Sequence, residues 1–378
     1  MAEWRYIASR LNGDGTEEII DPDLPLLGPA FTKVFSGPDG MTARIDPAVA
    51  RLIGSDGMPI LEEWSTAIYA EESGVIRHGT ILTNTQKRGS ELSLTGVGFT
   101  AAIKDQPYAG STFFVQAEVL DIVRHIWAHW QSQNGGNLGL IVDPSTVTGT
   151  KIGTVLEQVE FDTASGPVSF EAGPYKLNEW QTDDLGGAID KLATDHGFDY
   201  RESHSWNAAG DGFIHRLDFY VPRIGRRRDD LRFVVGENVV VQPTESTESE
   251  AYASAVLVRG AGEGPTMKRK LVPRAGERRL RRVAIFDDKQ LKSDKAVLDR
   301  AGSILPQLTG RADVAEIEIR EHDHAPIGSW TEGDEIEVFT DTEWGDTPMW
   351  LRILSTTYRP DDPNVAQVAV MRADKVPS

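Results

Sequence analysis

The chain has 378 residues, of which 39% are hydrophobic and 26% charged, with a formal net charge of −19 and no cysteine. This length exceeds one ordinary hydrophobic core, so two or three domains are expected, and the composition is that of a folded globular protein and not of a disordered one. The acidity argues against nucleic-acid binding as the main task, because phosphate contacts need a basic footprint, and the lack of cysteine excludes disulfides, thiolate zinc sites and a cysteine nucleophile.

A content of 36 glycines and 20 prolines implies many turns and favours a β-rich build. The opening MAEWRYIASRLNG lacks the basic-then-apolar pattern of a signal peptide, and no uncharged apolar run reaches bilayer-spanning length, so no membrane-spanning segment is expected. Up to about residue 110, WSTAIYAEE, VIRHGTILTNT and ELSLTGVGFTAAI read as strands, and DPDLPLLGP and SGPDG supply turns. An antiparallel β-domain is predicted there.

From Ser111 the period changes. Val119, Ile122, Val123, Ile126, Trp127 and Trp130 follow the i, i+3, i+4, i+7 rule and share one helical stripe that ends before Asn134–Gly136. A second helix is predicted to start at Thr182 as cap, with Asp183 and Asp184 at the positive end of its dipole. Leu185, Ala188, Ile189 and Leu192 would form its buried face, and Gly197 a left-handed stop. The strands FDYRES and FIHRLDFYV follow, split by NAAGDG, so residues 111–235 read as an α+β unit between two β units.

After the polar lead-in GENVVVQPTESTESEAYA, Ser254–Gly260 reads as a strand and GAGEG as its turn. The tract Gln242–Glu250 is read as a linker or surface loop, and the last domain is placed at 236–378. A basic stretch at Arg278–Arg282 precedes a helix near 293–305, capped by Ser293 and buried along Val297, Ala301, Ile304 and Leu308, with Pro306 disturbing its end. In VAEIEIRE, Ala315, Ile317 and Ile319 alternate with Glu316, Glu318 and Arg320, the period of a half-buried strand, and GDEIEVF, WLRILSTTY and VAQVAVMRA repeat it.

Candidate chemistry is sparse. His125 and His129 stand four apart on the first helix, but HIWAH lacks the glutamate of a metalloprotease HExxH motif, and both rings fall beside the apolar stripe, which favours boundary packing over metal binding. His322 and His324 flank Asp323 on one strand face; with no third ligand nearby in sequence and Pro326 following, they read as a surface turn, with joint titration near neutral pH as the functional alternative. RGAGEGPTM is neither GxGxxG nor a phosphate-binding P-loop, and a basic tract follows it instead of a helix.

Arg223–Arg228 and Lys268–Arg282 concentrate basic residues, read first as solvated strand faces and second as contacts to acidic neighbours in an assembly. Trp330, Trp344 and Trp350 suit core or interface more than sugar stacking, and serine-hydrolase signatures are missing. No catalytic, cofactor-binding or metal-binding residue is assigned, and the chain is not expected to be an enzyme. Many turn-separated strands offer loops and edges for docking, which points to interaction work.

The order of parts in residues 236–371, together with WRYIASRLNGDGTEEIIDPDLPLLGPAFTKVFSGPDGMTARI and WSTAIYAEESGVIRHGTILTN, resembles the hub proteins of phage tail tips and baseplates. These include minor tail proteins of phages that infect actinobacteria and the hub region of tail-associated lysins. The resemblance implies a β-rich α+β chain in which two β-barrel-like hub domains, at 1–110 and 236–378, flank the α+β unit. It implies a homotrimer at the distal end of the tail, whose six quasi-equivalent barrels adapt a sixfold tube to threefold symmetry around the DNA exit channel.

Implied partners are the distal tail protein ring, the tape-measure protein and downstream minor tail proteins or fibres, with only passive contact with passing DNA. The location implied is the virion tail tip after assembly in the host cytoplasm. Many relatives carry a cell-wall-degrading domain after the hub, whereas this sequence stops at VMRADKVPS, so any lytic role is expected to lie in another gene product. The rival readings are a glycan-binding tail adhesin and a cell-wall hydrolase component, neither with a motif behind it.

Overall fold

The computed structural model describes residues 3–88, 91–155, 157–163, 166–240, 247–262, 264–276, 278–288, 291–311, 314–339 and 349–373. Trp344 and residues 242–246 of the linker reading lie outside them. The architecture is the β-rich α+β one expected from sequence.

The amino-terminal unit contains β1 (Trp4–Leu11), β2 (Glu17–Asp21), β3 (Leu27–Val34), β4 (Gly40–Ile45), β5 (Thr66–Glu72), β6 (Val75–Arg88) and β7 (Glu91–Val97), paired antiparallel in the order β3-β4-β7-β6-β5-β1-β2. Apolar residues alternate to both faces of this sheet. Ala8, Ile68, Ala70 and Leu82 point into a core with Phe31, Met41, Ile45 and Leu94. Their neighbours Ile7, Ala67, Tyr69 and Ile81 point the other way, into the middle unit. A one-residue period inverts the face, so the near-continuous apolar run of β5 signals a strand buried on both sides.

The middle unit begins with β8 (Ser111–Phe114) and the two-residue β9 (Ala117–Glu118), which leads into α1 (Val119–Gln131). Then come β10 (Leu140–Val142), β11 (Lys151–Ile152), the hairpin β12 (Glu157–Thr163) with β13 (Gly166–Ala172), and β14 (Tyr175–Asn178). The unit closes with α2 (Leu185–His196), β15 (Asp199–Trp206) and β16 (Phe213–Tyr220). All six residues of the predicted stripe of α1 are buried, packed with Leu185, Ile189 and Leu192 of α2 against the outer face of the amino-terminal sheet. The start of α2 is corrected: Asp184, not Thr182, is the cap residue, and Thr182 instead accepts a hydrogen bond from the Tyr108 amide through its carbonyl. Gly197 ends α2 in the left-handed conformation, φ 66°, as its lack of Cβ allows.

The remaining strands are β17 (Phe233–Val234), β18 (Thr247–Tyr252), β19 (Ala255–Arg259), β20 (Arg269–Pro273), β21 (Val283–Asp287), β22 (Thr309–Arg311), β23 (Val314–Arg320), β24 (Glu335–Phe339), β25 (Met349–Tyr358) and β26 (Val365–Arg372), with α3 (Asp294–Ile304) between β21 and β22. The 236–378 segment differs from a single β-domain carrying one helix. β19, β20 and β21 form a three-stranded sheet whose core of Val256, Val258, Val297, Ala301 and Ile304 is shared with α3 alone. That α/β insert is separate from the core of Phe233, Ile317, Ile319, Ile336, Ile353 and Val368 around β17 and β23–β26.

The two terminal β units are also not two separate sheets. The first half of β25 pairs with β24 through Met349–Arg352, and its second half pairs with β3, Ser355–Tyr358 against Val34–Phe31. One 12-stranded sheet therefore runs from β2 to β17, with β26 and β23 branching from β25. Among the described residues its strand order is an open path and not a closed barrel.

Candidate functional site

Where the amino-terminal, middle and carboxy-terminal units meet, the structure leaves a half-open pocket of about 590 Å³ bounded by residues of all three, among them Asp39, His78, Glu202, His204, Trp330 and Glu332. Strand alternation sends Tyr200, Glu202 and His204 of β15 inward, so two polar side chains enter a buried seam. Glu202 accepts hydrogen bonds from the Thr100 amide at 2.7 Å and the Asp39 amide at 3.4 Å. Asp39 in turn accepts from the Val34 amide at 2.9 Å. Gly98 makes this approach possible, because a Cβ there would fall 1.7 Å from a Glu202 carboxylate oxygen.

Burial pushes both carboxyls up, and for Glu202 the negative charge of Asp39 adds to it. Beside them runs a chain of rings. Tyr69 Oη donates to Glu17 Oε1 at 2.6 Å, Ser9 donates to the same oxygen, His215 Nε2 lies 2.9 Å from Glu17 Oε2, and His215 Nδ1 lies 3.0 Å from His204 Nδ1. His215 thus bridges Glu17 and His204 through its two ring nitrogens, leaving His204 Nε2 on the far side of its ring. That Nε2 and Nδ1 of His78 are buried without a protein partner. Burial, first of all causes, holds both imidazoles well below their ordinary pKa, so they are neutral.

An ion pair completes the seam. Arg352 of β25 donates to Asp199 of β15 at 2.7 Å, its guanidinium lies over the Phe35 ring at 4.5 Å, and the other Asp199 oxygen accepts from Ser36 Oγ at 3.2 Å. Three units thus converge on one carboxylate. The arrangement is suited to fixing domain geometry, with groups that titrate near neutrality at its centre.

The histidines singled out by spacing fare differently. His125 Nε2 lies 3.0 Å from Tyr108 Oη, and His129 Nε2 accepts from the Ala109 amide at 3.2 Å, so both rings are boundary packing around Tyr108. For His322 and His324 the absence of a third ligand is corrected: the fold brings Glu237 to both, 3.6 Å from His322 Nε2 and 3.8 Å from His324 Nδ1.

The first basic tract serves internal ends, whereas most basic residues of the second are exposed. Arg228 is buried and paired with Asp230 at 2.7 Å and Asp334 at 3.3 Å, Arg223 pairs with Glu335 at 2.8 Å, and Arg227 stacks on Trp350 at 3.6 Å. In the second tract Arg274 donates to the Leu308 carbonyl at 3.1 Å and Arg279 covers Tyr252. The Gly-rich segment is a turn between β19 and β20, closed by Gly260 N–H to the Lys268 carbonyl at 2.6 Å. Trp330 is buried in the carboxy-terminal core.

An apolar groove lies on the exterior of the middle unit, where β8 pairs with β14. Phe113 and Trp180 line it at 69% and 66% exposure, together with Val115 and Val155. Sequence reasoning passed over this groove and the seam. The alternation of Glu202 and His204 with Tyr200 was the available signal for the seam, since a strand face that carries both apolar and ionisable groups inward marks a buried polar cluster.

No protein-family model matches the sequence, and no curated protein matches it in sequence. Solved structures do match in fold over nearly the whole chain. The 43 kDa tail protein of prophage MuSo2 from Shewanella oneidensis aligns with a TM-score of 0.58 at 12% identity, covering 98% of each chain. The tail protein from Neisseria meningitidis MC58 aligns at 0.55 and 13%, covering 98% of this chain and 97% of its own. Prophage tail protein gp18 from Listeria monocytogenes EGD-e aligns at 0.55 and 11%, covering 98% and 95%. The chain has the fold of these phage tail proteins from end to end.

Proposed function

We propose that this chain is a structural component of a phage tail tip, a non-catalytic hub that assembles as a homotrimer around the path of the leaving DNA. The observation that carries the reading is the match in fold, over 98% of the chain, to prophage tail proteins from three bacteria. The rigid build agrees with it. In this reading the two terminal β units, joined through β25 and β3 in one open sheet, serve as the paired hub bodies of each subunit, so that three subunits offer six to a sixfold tube. Residues 1–110, 111–235 and 236–378 are assigned as the functional parts of that hub, with β17 joining the last in its core and the α/β insert set within it.

A net charge of −19 on the chain as a whole disfavours retention of passing DNA, since like charge repels the phosphate backbone. The exposed groove at Phe113 and Trp180 supports a protein that works by docking, because contiguous exposed apolar surface marks interaction sites. Its partners are then the distal tail ring, the tape-measure protein and later minor tail proteins or fibres, and its location is the virion.

Native mass measurement tests this directly. The purified protein is expected at about three times the chain mass of 41.6 kDa, with a ring in low-resolution images. A strictly monomeric protein at micromolar concentration, absent from tail particles of the phage that encodes it, overturns the proposal.

A further inference from the structure

Glu237, His322 and His324 are the one group of three or more potential metal ligands that lie together among the described residues. We propose that they form a zinc-binding site that ties the turn after β17 to the loop after β23. Their ligand atoms all lie within 4.8 Å of one another. The carboxylate-to-ring separations of 3.6 and 3.8 Å are too long for hydrogen bonds but close to what a metal would set. A tetrahedral zinc with ligands at about 2.1 Å holds its donor atoms roughly 3.4 Å apart, so the carboxylate-to-ring pairs must close by a few tenths of an ångström and the widest pair of donors by about an ångström, within reach of rotamer adjustment of exposed side chains. Two imidazoles and one carboxylate select a borderline ion such as zinc over magnesium or calcium, which take oxygen donors.

The backbone that presents these side chains is fixed independently of any ion. Asn238, itself buried, accepts from the Val234 amide at 2.8 Å through its side chain and donates to the Arg232 carbonyl at 2.9 Å, which sets the turn carrying Glu237. On the other side the Ala325 amide donates to the His322 carbonyl at 3.0 Å, Ala325 is fully buried, and the Arg232 amide donates to the His324 carbonyl at 3.2 Å. Arg232 thus touches both ligand-bearing segments.

One local bond opposes binding. The His324 amide donates to His322 Nδ1 at 3.2 Å, and ligation through Nε2 moves the ring proton to Nδ1, so that bond must open. The amide is exposed and water replaces the ring nitrogen, so the cost lowers affinity without abolishing it. Three protein ligands leave at least one coordination position to solvent. Zinc here cross-links the entry of the α/β insert, which follows β17 in sequence, to the body of the carboxy-terminal unit.

The test uses the full chain without a histidine tag, stripped with chelator and titrated calorimetrically with zinc chloride. One zinc per chain and a rise in Tm are expected, with no shift from magnesium at the same concentration. His322→Gln/His324→Gln is expected to weaken binding about 30-fold or more and Glu237→Gln about tenfold, with the metal-free Tm unchanged. Cobalt(II) supplies a second readout that needs no variant: wild-type protein should give the intense visible bands of four- or five-coordinate cobalt. Wild-type zinc affinity in the double variant, or no heat and no Tm change up to about 1 mM zinc, overturns the site, as does a cobalt spectrum identical to that of the aqueous ion. This outcome is independent of whether the protein is a tail hub.

Discussion

Asp39 and Glu202 share a buried seam in which at most one carboxylate charge is accommodated cheaply. Unfolded, each releases its proton near pH 4; folded, burial raises Asp39 to about 7 and Glu202 to about 8. Between those limits the folded state binds more protons than the unfolded one, so the pair's contribution to stability is complete below about pH 4 and is lost as pH rises through 7 to 8. Asp39→Asn keeps an acceptor for the Val34 amide while removing the charge. Its stability, measured by chemical denaturation from pH 5 to 9, is expected to decline less steeply than wild type, by a few kcal/mol across the range. Parallel curves would refute the assignment. Residues of this kind were partly legible in sequence: the alternation of β15 announces which side chains turn inward. That Asp39 meets them, or that Glu237 meets His322, was not, because both contacts join segments far apart in the chain.

At the scale of single elements, local rules carried much of the reading. The stripe of α1 and the apolar side of α3 were legible because a 3.6-residue period needs no knowledge of the partner surface. Ser293 caps α3 as expected, its Oγ accepting from the Ala296 amide at 3.1 Å. Ser293→Ala is expected to destabilise the α/β insert by about 1 kcal/mol, read as faster hydrogen exchange in 294–304 with little change in the α1 helix. The start of α2 differs by two residues because TDD offers three cap-competent side chains in a row, and Thr182 is held in the preceding turn, its amide donating to the Asn178 carbonyl at 2.9 Å and its hydroxyl accepting from the Asn178 amide at 3.4 Å. Gly225 and Gly333 show a second limit. Each adopts positive φ, 83° and 91°, and a Cβ on Gly225 would fall 2.1 Å from the Gly333 carbonyl carbon. RIGRRR therefore reads as a basic tract in sequence but acts as a tight packing turn.

For the whole molecule, topology decides which parts stand or fall together. The amino-terminal sheet is a shared wall: its inner face packs its own core, its outer face packs α1 and α2, and β25 continues it into the carboxy-terminal unit. Thr32 and Thr357 hydroxyls meet across that join at 2.8 Å, and Arg352 reaches from β25 to Asp199 in the middle unit. None of this was legible from periodicity, since strand alternation predicts that a strand has neighbours without saying which.

The α/β insert is the exception. Its core residues belong to no other cluster, and its contacts with the middle unit include surface pairs such as Lys292 with Thr154 at 3.4 Å and Arg300 with Asp195 at 4.0 Å. Exposed pairs of that kind contribute little. Denaturation should therefore show two steps, the insert opening first and the three joined units unfolding later as one block. Val297→Ala, which hollows the fully buried centre of the insert, is expected to lower the first step by about 1–3 kcal/mol and leave the second in place. Hydrogen exchange with mass readout along a urea series distinguishes the steps: simultaneous loss of protection in 255–305 and in β5 would mean that the insert is bound into the block after all.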